Sequence, residues 1–334
     1  MKSGRSKLDK WDDLHMQVFN KPTPNEIKIA AKALKDGNLV AFPTETVYGL
    51  GGDALNEKAV RRIYLSKGRP LDHPVIVHMS GIDLINEWAI DIPKYALELA
   101  NEFWPGPMTL ILKRNYLAKN FITGGQDNVG LRVPAHPVAM ELLKRFDEIG
   151  GLGVAAPSAN RFGAVSPTTV AAVSEELAYY LGLDDLILNG DQCQVGIEST
   201  IIDCTKNNPI ILRPGAITYK MVKSTISIDV TFNQSGKIVK TSGLLDSHYS
   251  PRAKVLLNKE AVPGDGLLAM DNVLTPIGVI RLASPKTIEQ YAMVLYEAFR
   301  SGDQKGLKRI IVIPPEGDGI AVGIRDRLLK ASAG

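Results

Sequence analysis

Lys67 and Arg69, in "SKGRPLDHPVIVH", stand two positions apart with Pro70 directly behind them. A following proline favours extension at Arg69, and in an extended segment alternate side chains share one face, which would set two cations side by side. Such a pair suits phosphate. Arginine supplies a planar fork and lysine a point charge, each charge-assisted bond being worth about 1.5–3 kcal/mol. The plainer reading is a cationic helix end facing water, where it complements the macrodipole. His73 and His78 bracket the start of the next strand, either as polar tips in a cleft or as satisfied surface histidines.

Five more stretches place polar groups at the edge of something apolar. In "VGLRVPAHP", Arg132 alternates with Leu131 and Val133 on a half-buried strand that Pro134 ends, as an anion ligand or as a surface arginine. "AAPSANRFGAVSPT" runs from a small-residue strand into Pro157, Ser158, Asn160 and Gly163, then opens a helix at Ser166, Pro167 and Thr168. Hydroxyls and N–H groups at a helix start attract anions; an N-cap accounts for Ser166 but poorly for Ser158 and Asn160. Ser199 in "GIESTIID" and Arg213 in "IILRPG" each mark a strand boundary. Finally, "LVAFPTETVYGLGGDA" (39–54) leaves a buried strand at Pro43 and places Thr44, Glu45, Thr46, Tyr48 and three glycines where a turn needs far fewer. Together these boundaries suggest one pocket lined by loop ends.

Familiar signatures are absent or misplaced. No G-x-x-x-x-G-K-[S/T] occurs, and neither does a G-x-S-x-G elbow or HExxH. "GLGGDA" fits the dinucleotide fingerprint in letters, but "TETVY" separates Pro43 from Gly49, whereas the fingerprint needs its first glycine in the tight turn at the strand end. It reads as a decoy.

The elements that must position these residues follow from periodicity. "TPNEIKIAAKALKDGN" sets Ile27, Ala30, Ala31 and Leu34 at helical spacing and stops at Gly37; "NEKAVRRIYLSKG" does the same with Ala59, Val60, Ile63 and Tyr64, closed by Gly68. Strands are expected in "PVIVHM", "PMTLILK", "NVGLRVP", "GLGVAAP", "STIIDC" and "NPIILRPG", and helices in "PKYALELANEFW", "HPVAMELLKRF" and "SPTTVAAVSEELAYYL", the last capped by Ser166 or Thr168. Strand-rich and helical stretches without a regular alternation imply a mixed α/β or α+β fold rather than a doubly wound parallel sheet. From about Asn233 to Pro251 apolar periodicity vanishes, which marks a linker. Beyond it, "GLLAM", "IGVIRL", "KTIEQYAMVLYEAFRSG", "RIIVI" and "GIAVGIRDRLLKA" make a small parallel-sheet unit.

The whole chain has 334 residues, 45% apolar and 22% charged, enough for roughly two domains. A net charge of +3 argues weakly for nucleic acid and leaves a small polyanion open. Cys193 and Cys204 are the only cysteines, too few for a disulfide framework and without zinc-ligand spacing. The first residues lack the apolar core of a signal peptide, and no stretch of about 18 apolar residues occurs, so a non-exported protein of the cytoplasm, without membrane attachment, is expected.

In this order, "PTETVYGLG", "KGRP", "WPGPMTLIL", "VGLRVPAHP", "PSAN", "GIESTIID" and "LRPG" resemble the YrdC-like domain of the threonylcarbamoyl-AMP synthases. The remainder, with "HYSP" and "GIRDRLLKA", is similar to the long, two-domain branch. The resemblance implies a lead at 1–22, a YrdC-like domain at 23–232 with a twisted mixed sheet and a concave pocket, a lid-like linker at 233–252, and a Rossmann-like three-layer parallel-sheet domain at 253–334. It also implies synthesis of threonylcarbamoyl-AMP from L-threonine, bicarbonate and ATP, with pyrophosphate released, as the first step toward threonylcarbamoyladenosine in tRNA. Lys67 and Arg69 would be catalytic on the ATP phosphates. His73, Asn128, Ser158, Asn160, Ser166 and Arg213 would contact the nucleotide, joined by Gly243, His248 and Tyr249 from the lid. Thr46, His78, Arg132, Ala156 and Ser199 would hold threonine or its carbamate. Magnesium would arrive with ATP and take no protein ligand, and the implied partners are downstream tRNA threonylcarbamoyl transferase proteins, with weak tRNA contact. The linker here reads "TSGLLDSHYSP", where the family usually has Ser-Pro-Gly and an arginine. Two rivals keep the fold: an RNA-binding module, and the YrdC domain of carbamoyltransferases.

Overall fold

A computed structural model describes residues 17–232 and 249–334. The first helix, Pro24–Lys35, starts at a reciprocal cap: the Glu26 carboxylate accepts from the Thr23 backbone N–H (2.7 Å) while Glu26 N–H donates to Thr23 Oγ1 (3.3 Å). It buries Ile27, Ala30, Ala31 and Leu34, the face its periodicity requires. The helix Glu57–Lys67 is capped by Asn56 and stops where Gly68 turns left-handed at φ 62°.

The large sheet is built, among the described residues, from β1 (Gln17–Asn20), β2 (Val40–Phe42), β3 (Gly49–Asp53), β4 (Ile76–His78), β5 (Met108–Lys113), β6 (Asn128–Arg132), β7 (Val154–Ala155), β8 (Leu186–Asn189), β9 (Thr200–Asp203), β10 (Ile210–Arg213) and β11 (Thr231–Phe232). Its order is β1-β8-β2-β3-β7-β4-β6-β5-β9-β10-β11, with parallel and antiparallel neighbours mixed. β4 and β6 run parallel with His78 opposite Arg132, so two candidate site residues end adjacent strands at the same level. β5 runs parallel to β9 and brings Thr200, the residue after Ser199, beside Met108.

Four strands of the large sheet depart from the expected elements. β1 lies in what reads as a polar lead, β8 and β11 in stretches with no assigned element, and β3 is the glycine run itself. All five residues of β3 are buried, and a Cβ on Gly51 would come within 2.7 Å of both Phe42 and Val154. Those glycines therefore serve close packing inside the sheet rather than a turn. The helix after "SPTT" begins at Val170 and is capped by Thr169, whose side chain accepts from Ala172 N–H, so neither Ser166 nor Thr168 is the cap.

β12 (Lys254–Leu257), β13 (Gly266–Leu268), β14 (Ile280–Ala283) and β15 (Arg309–Val312) form a second sheet, wholly parallel, in the order β12-β15-β13-β14. The helices Ile288–Gln304 and Ile320–Ser332 pack against each other and against this sheet. Their apolar residues Tyr291, Leu295, Phe299, Ile324 and Leu328 belong to one core with Val47, Val165 and Ile197 of the first unit. The two units are thus joined by buried apolar surface, and the loops of the large sheet sit in that seam. No helix among the described residues is long and apolar enough to cross a membrane.

Candidate functional site

Lys67 and Arg69 do not lie in an extended segment. Lys67 is the last residue of its helix and Gly68 reverses the chain, a conformation that suits glycine, so both side chains turn inward. Neither faces water: Lys67 is 2% and Arg69 7% exposed, which sets aside the solvated helix end. The Lys67 ammonium donates to the carbonyl oxygens of Ser158 (2.5 Å) and Asn160. Burial, with the Arg69 charge beside it, pulls Lys67 well below the usual lysine range, so an arriving anion would strengthen its charged form. Arg69 donates to Pro74 O (2.9 Å) and lies 5.8 Å from the centroid of Phe162. Phe162, with His73 edge-on at 5.3 Å, walls this end of the pocket.

The loop that carries Ser158 and Asn160 is pinned to β3 by Leu50 N–H to Pro157 O (2.9 Å) and Ala159 N–H to Tyr48 O (2.8 Å). The Asn160 amide donates to Arg161 O and Ala164 O, while its Oδ1 is buried with no partner among the described residues. That oxygen is a spare acceptor at the pocket wall.

At the opposite end, Arg132 is 4% exposed and its Nη2 donates to Glu45 Oε1 at 2.5 Å, while Glu45 Oε2 accepts from Ala135 N–H (3.0 Å). Glu45, which has no assigned role in the sequence, fixes the arginine. Thr44 Oγ1 donates to Val47 O (2.6 Å) and lies 2.8 Å from Thr46 Oγ1. Because a hydroxyl has one proton, Thr46 gives its own to Thr44 and keeps lone pairs for a ligand N–H. Arg213 donates to Ser199 O (3.0 Å) and Ser199 Oγ (3.2 Å), and Ser199 Oγ also pairs with Thr109 Oγ1 (2.8 Å).

One cavity therefore joins Thr46, Lys67, Arg69, His78, Arg132, Ala156, Ser158, Asn160, Ser199, Arg213 and Tyr249. Asn128 does not line it; it opens β6 opposite Lys113. Ser166 stands behind the wall, donating to Glu198 Oε1 at 2.6 Å, and His73 is not among the lining residues but stands edge-on to Phe162, which is. Gly243 and His248 lie outside the described residues. Sequence reasoning passed over Phe162 and Glu198, though both sit inside quoted motifs. Four cations converge here, and the one lining carboxylate, Glu198, is bonded by Arg327. No group of three or more His, Cys, Asp or Glu suited to a metal occurs among the described residues.

His78 is pushed down to about 3 by burial and then by the Arg132 charge, and its Nδ1 has no partner among the described residues. It is neutral at physiological pH and offers a hydrogen-bonding nitrogen to a ligand. The folded pKa lies below the ordinary 6.5, so the unfolded chain binds the extra proton. Stability from this group is present above about pH 6.5 and is lost as pH falls toward about 3. His78→Gln should flatten the slope of unfolding free energy against pH in that window by about 1.4 kcal/mol per pH unit. Urea titrations at several pH values measure it, and an unchanged slope would show that His78 is not held neutral. His136, also lowered by burial, supplies part of what remains.

Comparison with known proteins adds the following. A family model described as "Telomere recombination" matches residues 32–215, and one described as "Threonylcarbamoyl-AMP synthase, C-terminal domain" matches residues 217–333. The curated threonylcarbamoyl-AMP synthase of Pyrococcus abyssi is 36% identical, over 92% of this chain and 94% of its own length. That of Bacillus subtilis is 34% identical, over 100% of this chain and 99% of its own. The crystal structure of P. abyssi Sua5 complexed with L-threonine has a TM-score of 0.85 at 33% identity and covers 94% of this chain and 97% of that one.

Proposed function

The chain belongs to the threonylcarbamoyl-AMP synthase family, and from that premise we infer that it condenses L-threonine, bicarbonate and ATP to threonylcarbamoyl-AMP and pyrophosphate. The observation that carries the reading is the convergence of Lys67, Arg69, Arg132 and Arg213 on one buried cavity. Among the described residues that cavity holds no paired nucleophile and base. Attack of a carbamate oxygen on the α-phosphate needs position and charge neutralisation more than a covalent intermediate. A cavity of fixed cations, hydroxyls and amides is suited to that task.

We assign the roles as follows. Arg132, held by Glu45, takes the threonine carboxylate, and Thr46 accepts from its nitrogen. Neutral His78, with Ala156 and Ser199 beside it, borders the carbamate. Lys67 and Arg69 face the triphosphate, with Ser158, Asn160 and Arg213 around the nucleotide. Magnesium would travel on the triphosphate, held by its oxygens and water, with Asn160 Oδ1 the protein acceptor that fits a water of that shell. Tyr249, the first described residue of the linker, closes the site. The division into 23–232, 233–252 and 253–334 is part of the same reading. The product is a mixed anhydride prone to hydrolysis, which a closed site protects; tRNA threonylcarbamoyl transferase proteins as its consumers and a cytoplasmic setting belong to the same proposal.

Release of pyrophosphate from ATP, measured with threonine and bicarbonate each omitted in turn, tests this. Release should require both; activity that persists without either removes the synthase reading. An RNA-binding module would instead show affinity that falls steeply with salt and no need for threonine.

A further inference from the structure

Glu198 is an anomaly in a pocket for anions. It is a buried carboxylate on the wall, yet a triphosphate or carbamate beside it would be repelled. Its charge is answered from the second unit. Oε2 accepts from Arg327 Nε (3.0 Å) and from the Tyr296 hydroxyl (2.8 Å), and Oε1 from Ser166 Oγ (2.6 Å). Burial alone would raise its pKa, but Arg327, Arg213 and the Ser166 hydroxyl more than offset that and hold it down at about 2. The carboxylate is therefore charged and fully engaged.

Arg327 does more than neutralise. It is 0% exposed, and its Nη1 donates to Pro214 O (2.6 Å), the residue after Arg213, while Nη2 donates to Glu198 O (3.1 Å), the residue before Ser199. Its guanidinium also lies 5.7 Å from the Tyr249 ring, which stacks on Tyr296 at 5.8 Å and 30°. Two glycines permit this approach. A Cβ on Gly196 would fall 2.4 Å from Ala292 O, and one on Gly323 would fall 3.1 Å from Gly215 Cα. Arg300 adds a third hold on the same side, donating to Val165 O beside Ser166. The two C-terminal helices thus grip the three loops that carry Ser166, Ser199 and Arg213.

We propose that Arg327 is a positioning residue for the nucleotide half of the pocket, silencing the Glu198 carboxylate and fixing the loop of Arg213 through Pro214 O, so that the second unit acts on ATP binding. This rests on the functional reading above. Without Arg327, an uncompensated carboxylate faces the phosphates and two carbonyls lose their donor. Arg327→Met should raise KM for ATP about tenfold or more and leave KM for threonine nearly unchanged, and adding Glu198→Gln should restore most of the ATP affinity.

Steady-state kinetics of the wild type, Arg327→Met and the double variant, with melting temperatures in parallel, decide it. Equal rises in both KM values, or a double variant no better than Arg327→Met, would mean a merely structural arginine and overturn the proposal. If Arg327→Met does not fold, Tyr296→Phe removes one hydrogen bond from Glu198 while keeping the ring on Tyr249. It should shift KM for ATP alone in the same direction, and an unchanged value would count against the proposal. Calorimetric titration of the wild type with ATP separates the two levels: no binding there sinks the nucleotide reading itself, whereas binding that Arg327→Met leaves intact sinks only this inference.

Discussion

Arg69→Ala is expected to lower threonine-dependent pyrophosphate release by about 10²–10³-fold, the usual cost of removing one preorganised donor from a developing charge. The arginine is nearly buried, donates to the Pro74 carbonyl and lies over the face of Phe162. Removing it takes the donor from the Pro74 carbonyl, so a loss of stability of about 1–3 kcal/mol is expected beside the loss of rate. Lys67→Ala should lower release as far and destabilise the protein as well. Its ammonium satisfies two carbonyls of the loop that presents Ser158 and Asn160, and a buried acceptor left without a donor costs about 1–3 kcal/mol. Near-normal release from Arg69→Ala would remove it from the phosphate site. An unchanged melting temperature in Lys67→Ala would deny the loop-anchoring role.

These two residues mark where the sequence is informative. Lys67, Arg69, Ser158, Asn160, Arg132, Ser199 and Arg213 are legible because each stands at a strand or helix boundary, and boundaries at one edge of a sheet must converge. Their geometry is less so. An extended Lys67–Arg69 pair follows from Pro70, but the left-handed Gly68 overrides it and brings both cations inward by a sharper route. The β3 glycines illustrate the same limit: their letters fit a turn, and only the nearness of Phe42 and Val154 shows them to be a buried strand. β1 escapes notice because it is four residues long, carries Gln17 and Asn20, and owes its existence to β8, far along the chain.

The roles of Glu45 and Glu198 are the least legible of all. Glu45 meets Arg132 across 87 positions, and Glu198 meets Arg327 across 129. Neither partner can be inferred from local spacing, because a carboxylate needs only one cation and the chain has many. The two pairs differ in direction: Glu45 orients an arginine that lines the site, whereas Glu198 lines the site and is neutralised by an arginine behind it. The N-cap at Thr169 belongs to the same class of error on a smaller scale. Ser166, Thr168 and Thr169 are equivalent as cap formers, and the choice falls to the Ser166–Glu198 bond, which commits Ser166 elsewhere.

The Glu45–Arg132 pair gives the second large effect. Arg132→Met should raise KM for threonine roughly 10- to 150-fold, the equivalent of one charged hydrogen bond worth about 1.5–3 kcal/mol. It should also destabilise the protein by about 3–5 kcal/mol, because Glu45 is then a buried charge without its cation. These two losses have different origins and can be parted. Glu45→Gln in the Arg132→Met background removes the stranded charge, so urea unfolding should recover most of the stability. The threonine KM should stay high, since the ligand's carboxylate still lacks its guanidinium. Glu45→Gln alone keeps the arginine but loosens its aim, and should raise KM for threonine several-fold with little change in KM for ATP. Recovery of threonine affinity in the double variant would show that Arg132 acts as a strut for the loop rather than as the partner of the substrate. Affinity that stays low while stability returns is the signature of a ligand-binding arginine whose buried counter-ion serves its orientation.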